Sequence, residues 1–246
     1  MENSLSLSPS LTPGQSGKFA SELKFVVPVA LADEIRVWAR LNMEADPHGT
    51  GEHGDLYNIS SIYLDTENYD VLQRNGSFGR SKYRIRRYES GTGLYLERKI
   101  KNRGLVSKKR VKVELEALPL LSKQEAVETD ATYWFHRRIL ARQLRPVCQI
   151  AYERTARMAK TPTGLIRLTL DEHVATAPVS GFAFPATGQP ELLPVGGLIL
   201  ELKFRQQTPT LFAECMERFH LVRQSASKYR LACAKLGLGI STVIAA

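Results

Sequence analysis

The sequence predicts an α+β protein that is mainly antiparallel β, namely a tunnel barrel of about eight strands with a charged lumen and covering helices. Three observations support this prediction: charges fall on every second residue, Lys and Arg dominate the charged positions, and apolar residues fill the alternate ones. Because successive strand side chains point to opposite faces, each such stretch has one charged and one apolar face. The stretches with this pattern are residues 22–24, 82–86, 97–101, 108–114, 167–171 and 201–205.

An ordinary surface strand also alternates, but its polar side faces water and carries charges of mixed sign. In this chain the alternating positions are mostly basic, so repulsion would build up unless an anion lies against them. An antiparallel barrel solves this problem, because its apolar faces can pack beneath helices while its charged faces line a lumen. We therefore expect the basic residues to face one another inside a barrel.

The composition agrees with one domain that binds an anionic partner. The chain has 246 residues, of which 43% are hydrophobic, and its formal net charge is +9. This length suits a single β-barrel domain, which we place at residues 18–246, after a flexible Ser-, Pro- and Gly-rich tail at residues 1–17. The positive charge predicts a phosphate-rich partner, such as a nucleotide, polyphosphate, nucleic acid or an anionic membrane.

The sequence shows no sign of membrane insertion or export. No segment reaches the roughly 18 consecutive apolar residues of a membrane span, and the first residues lack the features of a secretory signal. We therefore expect a cytoplasmic protein. Cys148, Cys215 and Cys233 are odd in number and widely spaced, so we expect buried thiols. His48 and His53 lie in a Gly-rich loop, and we do not expect them to bind a metal.

The first half of the chain is predicted to contain strands and one helix. A strand at residues 22–27 comes first, and apolar residues then keep helical spacing over residues 31–38. A strand at residues 61–65 is followed by a turn at residues 75–76. Gly-containing turns at residues 90–93 and 102–104 then separate successive hairpin strands, which are expected at residues 82–88, at residues 95–101 and from residue 108 onwards.

The second half begins with a helix signal. Ser122 and Glu125 have capping-box spacing, which predicts a long helix from residue 122 to residue 144. Pro209 suits the first position of a later helix, and a last helix is expected to follow Ser227 and to end near Gly237. Between the long helix and Pro209, strands are expected at residues 149–155, 166–171 and 198–204, with a Pro- and Gly-rich connection at residues 178–197.

The order and content of these segments resemble the VTC domain, the polyphosphate polymerase branch of the triphosphate tunnel, or CYTH-like, superfamily. Each matching segment is short, but together and in this order they span roughly residues 18–236. The matching segments are ELKF (22–25), SIYLDT (61–66), YRIRRY (83–88), ERK (97–99), YERT (152–155), RLTLD (167–171), LELK (200–203) and SASKY (225–229).

The resemblance implies an antiparallel tunnel that grips a tri- or polyphosphate along its axis, with a divalent metal ion, Mn²⁺ or Mg²⁺, on one side. Members of this branch transfer the terminal phosphate of ATP to a growing polyphosphate chain, so ATP and inorganic polyphosphate are the expected partners. Relatives elsewhere in the superfamily hydrolyse triphosphates or cyclise ATP, and the fold alone does not fix the reaction. Hydrolysis of tripolyphosphate or a nucleoside triphosphate, and polyphosphate binding without turnover, remain alternatives.

Nucleic acid is disfavoured, because Tyr83, Tyr88 and Tyr95 do not form a clear stacking platform in the sequence. Family members in larger complexes use attached membrane segments to move their product. This sequence shows no such segment, so translocation would need a separate membrane partner.

The resemblance also implies roles for individual basic residues. Arg is suited to gripping two phosphate oxygens at once, whereas Lys acts as a movable point charge. For any single residue, a solvated surface charge is the alternative. The residues expected to contact phosphate and to supply the catalytic charge are Lys24, Arg84, Arg86, Lys99, Arg154, Arg167, Lys203 and Lys228. Further expected substrate-binding residues are Tyr63, Lys82, Lys108, Arg110 and Ser227.

The start of the last helix is a second expected anion site. Lys228 follows Ser227 there, and helix amides beside an ammonium group favour a terminal phosphate. The alternative is a capping Ser beside an exposed Lys.

The carboxylates are expected to divide between metal binding and ion pairing. Glu201 is the first candidate metal ligand and Glu22 the second, and the alternative for each is a salt bridge to a neighbouring Lys. Glu97 fits both interpretations equally, and Asp171 is expected to orient Arg or Lys. Many tunnel triphosphatases begin with a Glu-x-Glu-x-Lys strand, but this chain has Ala20 in place of the first Glu. The missing carboxylate favours the polymerase branch and leaves open a non-catalytic phosphate-binding protein.

Overall fold

The computed structural model describes residues 20–79, 81–89, 91, 93–102, 105–185, 190–205 and 207–239. The expected tail at residues 1–17 lies outside these residues, as do parts of the two Gly-containing turns. The division of the chain into a tail and a domain therefore stays a prediction.

The described chain is built mainly from strands, each of which pairs antiparallel with its neighbours. The two longest strands are paired with each other and extend well beyond the segments expected from sequence. The strands are β1 (Ala20–Val27), β2 (Glu44–Ala45), β3 (Leu56–Asp65), β4 (Ser81–Tyr88), β5 (Leu94–Asn102), β6 (Leu105–Val113), β7 (Arg145–Thr161), β8 (Gly164–Pro178), β9 (Glu191–Leu192) and β10 (Leu198–Phe204).

Eight of the described strands close into a barrel. Their pairing runs β7, β3, β4, β5, β6, β1, β10, β8, and β8 pairs back onto β7. The shortest join lies between β6 and β1, where Ala20 pairs with Val106 and Ser21 pairs with Leu105. Because side chains alternate along each strand, the closed sheet has an inner and an outer face. The prediction of a mainly antiparallel barrel of about eight strands is confirmed.

Helices cover the outer face of the barrel, as the sequence predicted. Leu200, Leu202 and Phe204 of β10 form one buried cluster with Ile35 of the first helix and Phe212 of the fourth. Burial of such side chains is worth about 1.5–3 kcal/mol each, and it holds the apolar faces outwards. The helices are α1 (Val29–Asn42), α2 (Asp70–Gln73), α3 (Tyr133–Arg142), α4 (Thr210–Arg218) and α5 (Lys228–Lys235).

The prediction of a long helix at residues 122–144 is wrong for the first half of this range. Ser122 ends a 3₁₀ helix (Leu115–Ser122) instead of beginning an α-helix, and α3 begins at Tyr133. The 3₁₀ helix is anchored by the buried Leu118 and Leu121. Tertiary packing of these two side chains therefore outweighs the local capping pattern.

The two C-terminal helices begin close to the expected positions. Pro209 is the residue before α4 rather than its first residue. Ser227 caps α5, because its Oγ accepts a hydrogen bond from the backbone N–H of Arg230 (3.4 Å). Gly237 follows α5 with a φ of 65°, the left-handed conformation that favours Gly.

The structure bears on two further expectations. All three cysteines are buried and free. Helices that meet the length and hydropathy needed to span a membrane are absent from the described part of the chain.

Candidate functional site

The inner face of the barrel is lined by basic side chains that come from distant parts of the chain. They alternate with the apolar residues that pack under the helices, so strand geometry alone directs them inwards. They are Lys24 on β1, Lys82, Arg84 and Arg86 on β4, Lys99 on β5, Lys108 and Arg110 on β6, Arg154 on β7, Arg167 on β8 and Lys203 on β10. The structure thus brings together the basic residues that the sequence singled out on the strands.

Two hydrogen bonds join strands that are not neighbours in the sheet, and each reaches over the inner face of the strand between them. Lys99 Nζ of β5 donates to Glu22 Oε2 of β1 (2.7 Å), although β6 lies between these strands. Arg86 Nη2 of β4 donates to the Tyr152 hydroxyl of β7 (3.0 Å), across β3. The charged faces of these strands therefore curve towards one another.

Asp171 is a fully buried carboxylate held by two cations. Arg154 donates from Nε to Oδ1 (2.6 Å) and from Nη2 to Oδ2 (2.7 Å). Lys228 Nζ reaches in from the start of α5 and donates to Oδ2 (2.5 Å). Burial raises the pKa of Asp171, but Arg154 and Lys228 outweigh burial and hold this pKa well below its usual range. Asp171 therefore has the contacts of a residue that orients Arg and Lys.

Glu22 and Glu201 form a carboxylate pair around Lys24. Lys24 Nζ contacts Glu201 and lies 3.1 Å from Glu22 Oε1, while Lys203 Nζ lies 2.5 Å from Glu201 Oε2. Burial and Glu201 raise the pKa of Glu22, but Lys99 and Lys24 lower it to about 2. Burial likewise opposes ionisation of Glu201, yet Lys203 and Lys24 hold its pKa well below the usual range. Both carboxylates are therefore ionised at neutral pH, and their oxygens have the charge of metal ligands.

Glu97 is almost completely buried and is engaged by cations on both oxygens. Arg84 Nε donates to Oε2 (2.7 Å), and Lys108 Nζ lies 2.6 Å from Oε1. Arg84 also donates from Nη1 to the hydroxyl of Tyr63 (3.1 Å). Of the two interpretations left open by the sequence, these contacts favour the ion-pairing role for Glu97.

Arg86 differs from its neighbours because its hydrogen-bond partners are neutral. Its side chain is buried, with 3% of the residue exposed, and it donates to the hydroxyls of Ser61 (3.1 Å) and Tyr152 (3.0 Å). No carboxylate forms an ion pair with it among the described residues. Burial lowers the pKa of Arg86, but Glu97 attracts the guanidinium without forming an ion pair with it and helps to raise this pKa. Because a buried charge is costly unless it is paired, Arg86 is suited to binding an anion.

Burial lowers the pKa of three lysines in the lumen. Burial lowers the pKa of Lys203 to about 7, although Glu201 opposes this effect. Burial also lowers the pKa of Lys82 and of Lys108, in each case to about 8. Lys82 Nζ donates to Ser227 Oγ (3.0 Å), which places one of these lysines beside the start of α5. An anion in the lumen would favour the protonated form of all three.

One mouth of the lumen is lined by aromatic rings, which we call the aromatic rim and define as Tyr57, Tyr88, Tyr95 and His48. The ring of Tyr88 lies 5.9 Å from Tyr57, 5.5 Å from Tyr95 and 6.1 Å from His48. Arg110 is exposed here and stacks on Tyr95, with Cζ 4.9 Å from the ring centroid. Tyr88 and Tyr95, which were not expected to form a clear stacking platform, are in contact, but they meet edge to face with an interplanar angle of 82°.

Arg167 fixes the rim from the opposite side. Its Nη2 donates to the Tyr57 hydroxyl (2.5 Å) and lies 2.7 Å from Oδ2 of the buried Asp46. Tyr83 lies on the other face of β4, where it is buried in the apolar core. The rim is therefore made by residues that share the inner face of their strands, or that lie in the loop before β3.

A protein-family comparison decides the family of this chain. A family model described as the VTC domain matches residues 19–237. The chain belongs to the VTC domain family. The match covers every strand of the barrel and α5, and therefore all of the lumen.

Solved structures are similar to this VTC domain, and the first of the following two supports the fold. A putative adenylate cyclase from Bacillus halodurans is 14% identical with a TM-score of 0.51, and the match covers 85% of this chain and 94% of that chain. A putative adenylyl cyclase from Hippeastrum, described as having a dominant triphosphatase activity, is 14% identical with a TM-score of 0.49, covering 89% and 96%. No curated protein sequence matches this VTC domain.

The donor set of this VTC domain fits a hard divalent cation. In the described ranges, no three His, Cys, Asp or Glu side chains group together as a metal site. Glu22 and Glu201 nevertheless supply two ionised carboxylates that share one neighbour, Lys24. Mg²⁺ and similar ions are commonly bound by one or two carboxylates together with substrate phosphates and water. The pair offers the oxygen ligands that such an ion uses, and the ion would take the place of the ammonium groups of Lys24, Lys99 and Lys203.

Sequence reasoning missed several polar residues of this VTC domain lumen. Ser61 and Tyr152 bind Arg86, and Thr169 Oγ1 accepts a hydrogen bond from Lys203 (3.4 Å). A signal was available, because Ser61 shares the alternation of Tyr63 and Tyr152 shares that of Arg154. These hydroxyl groups are uncharged, so a pattern of charged residues does not reveal them.

Proposed function

We propose that this protein is a metal-dependent polyphosphate polymerase, which transfers the terminal phosphate of ATP to a growing inorganic polyphosphate chain inside the barrel. The observation that carries the proposal is the buried guanidinium of Arg86, which has hydroxyl partners and lies among many other cations in a closed lumen. A linear polyanion is the ligand that neutralises such a lumen along its length.

The arrangement of cations suits a chain of phosphates. Side chains two residues apart on one strand are separated by about 7 Å, and neighbouring strands add donors between them. Arg84 and Arg86 on β4 and Arg154 on β7 offer planar guanidinium groups for paired oxygens. Lysines between them can follow the chain as it moves.

Phosphoryl transfer requires little covalent help from a protein. Its transition state is loose, so positioning and neutralisation of charge account for most of the catalysis. In the proposed reaction, Arg84, Arg86 and Arg154 hold the reacting phosphates in line, and Lys203 and Lys24 neutralise charge beside the carboxylate pair. Asp171 keeps Arg154 and Lys228 in place through its three hydrogen bonds.

Glu201 and Glu22 are the residues that would hold the divalent metal ion, Mn²⁺ or Mg²⁺. When bound, such an ion supplies Lewis-acid stabilisation of phosphate charge. The carboxylates contribute by remaining ionised at neutral pH and by lying beside Lys24 and Lys203.

Polymerisation is preferred to hydrolysis because acidic groups are scarce in the lumen. Residue 20, at the start of β1, is Ala and supplies no further carboxylate. The four carboxylates that the described strands place in the lumen, Glu22, Glu97, Asp171 and Glu201, are all engaged by cations and are poorly placed to activate water. A lumen with donors on all sides can bind both ATP and the acceptor chain.

Product analysis tests the proposal. The purified protein is incubated with ATP and Mn²⁺, and the products are resolved by size. We expect long phosphate chains and ADP. Free phosphate without chains would instead identify a triphosphate hydrolase, and unchanged ATP with tight polyphosphate binding would identify a non-catalytic binding module. Either of these results would overturn the polymerase assignment.

A further inference from the structure

The aromatic rim at one mouth of the lumen is not explained by phosphate binding. Phosphate chains have no apolar surface, yet Tyr88 and Tyr95 are half-buried there and His48 is exposed. Aromatic rings in an otherwise cationic opening expose apolar surface to water, which is unfavourable unless a ligand covers it. Tyr88 and Tyr95 meet edge to face (82°), whereas the exposed ring of His48 lies nearly parallel to Tyr88 (23°), so a flat group can continue this stack.

The rim lies directly beside the buried cations. Arg86 Cζ is 5.9 Å from the centroid of the Tyr88 ring, and the next residue on that face of β4 is Arg84. Arg154 Cζ is 5.2 Å from the ring of Tyr152, which binds Arg86. A ligand that contacts both features therefore needs a flat ring joined to a short anionic chain.

The rim also resists rearrangement. Tyr57 is buried and its hydroxyl accepts a hydrogen bond from Arg167, which in turn pairs with Asp46 in the loop that carries His48. The backbone N–H of His48 donates to Asp46 Oδ1 (3.0 Å). One carboxylate therefore ties the loop to the barrel and holds the exposed ring beside Tyr88. Such preorganised rings lose little entropy when a ligand stacks on them.

We propose that the aromatic rim stacks the nucleobase of a nucleoside triphosphate whose phosphates extend into the lumen towards Arg86 and Arg154. This inference rests on the proposed function and adds to it a site for the base. Stacking on aromatic rings and on the Arg110 guanidinium accepts any base, because every base has a π-face. The rim thus favours nucleoside triphosphates over inorganic tripolyphosphate through the base alone.

Paired binding measurements test this inference. ATP and inorganic tripolyphosphate are titrated into the wild-type protein and into the Tyr95→Leu variant. We expect ATP binding to weaken about tenfold or more, since a base stack is worth about 1–3 kcal/mol, and tripolyphosphate binding to change less than about twofold. Tyr133→Leu is the matched control, because Arg137 stacks on Tyr133 outside the barrel in the same manner (5.4 Å).

His48→Ala provides a second variant with little risk to folding, because this side chain is exposed. We expect it, too, to weaken ATP binding more than tripolyphosphate binding. Equal effects on the two ligands in both variants, or no effect on either, would overturn the inference while leaving the proposed function intact. A wild-type protein that binds neither ligand would overturn the proposed function as well.

Discussion

Arg154 and Asp171 face each other across β7 and β8 and are joined by two parallel hydrogen bonds inside the lumen. Lys228 adds a third hydrogen bond to the same carboxylate from the start of α5. Asp171 therefore links the barrel wall to a helix, and it fixes two of the cations proposed to bind phosphate.

We expect Asp171→Asn to destabilise the free protein by about 3–5 kcal/mol, because the variant leaves buried cations without their counter-charge. Added polyphosphate should restore much of the loss, since it supplies the missing negative charge. Thermal unfolding with and without polyphosphate measures both effects. Glu172→Gln is a suitable control because Glu172 contacts Arg36 at a partly exposed site. Equal melting temperatures for wild type and Asp171→Asn would contradict the assigned role.

Glu201→Gln is expected to abolish metal-dependent turnover and to leave polyphosphate binding intact or slightly tighter. The substitution removes a candidate metal ligand and releases Lys24 and Lys203 from an ion pair. Turnover is measured with ATP and Mn²⁺, and binding is measured with polyphosphate alone. Glu153→Gln, at a partly exposed position beside His173, serves as control. Wild-type turnover in the Glu201 variant would remove this residue from the mechanism.

Replacing Arg86 should affect polyphosphate binding without lowering the stability of the free protein. Arg86→Met keeps much of the side-chain volume and removes a buried charge whose partners are neutral. We expect the free protein to be as stable as wild type or more stable, and polyphosphate binding to weaken by about 1.5–3 kcal/mol, the value of a charge-assisted hydrogen bond. Arg87→Met, at an exposed position, is the control for both measurements. A variant that loses stability but not affinity would show that Arg86 is structural.

Polyphosphate binding should take up protons near pH 8. Burial lowers the pKa of Lys203 to about 7 and the pKa of Lys82 and Lys108 to about 8, and a bound polyanion favours their charged forms. Affinity should therefore fall as pH rises from about 7 to 9. Calorimetric titrations in two buffers with different ionisation enthalpies measure the uptake.

The Lys203→Arg variant tests the same prediction at one site. Arg stays charged over this pH range, so the variant should take up fewer protons on binding than wild type. Lys235→Arg, at a surface ion pair, is the control and should take up as many protons as wild type. The stability of the free protein should change with pH in the opposite direction to the affinity for polyphosphate. Between pH 7 and the ordinary lysine value of 10.5, the unfolded chain holds the proton that folded Lys203 has lost, so this group makes the free protein more stable as pH rises. Identical proton uptake in wild type and Lys203→Arg would contradict the assignment.

The sequence predicted the barrel well because the inner face of each strand needs charged residues and the outer face needs apolar ones. In β10, Glu201 and Lys203 face the lumen, while Leu200 and Leu202 pack under helices. Charged and apolar residues therefore alternate along the sequence of this strand. The helix expected from Ser122 failed because a four-residue pattern does not reveal that Leu118 and Leu121 are buried in another conformation. Local signals were reliable where tertiary packing agreed with them.

The aromatic rim could not have been found in the same way. Tyr88 and Tyr95 lie on different strands, and their contact depends on register: Tyr95 pairs with Arg86, so Tyr88 is offset by two residues. His48 joins them through a loop that Asp46 holds in place. Neither register nor loop placement is encoded in the spacing of residues along one strand.

The central claim is that the closed cationic lumen encloses a phosphate chain. A crystal structure of the protein grown with tripolyphosphate tests it most directly. We expect a linear string of phosphates inside the barrel, with oxygens bound by Arg86 and Arg154 and an end near Lys24 or Lys82. Phosphates bound on the outer surface, with the lumen closed by ion pairs between its own side chains, would contradict the account.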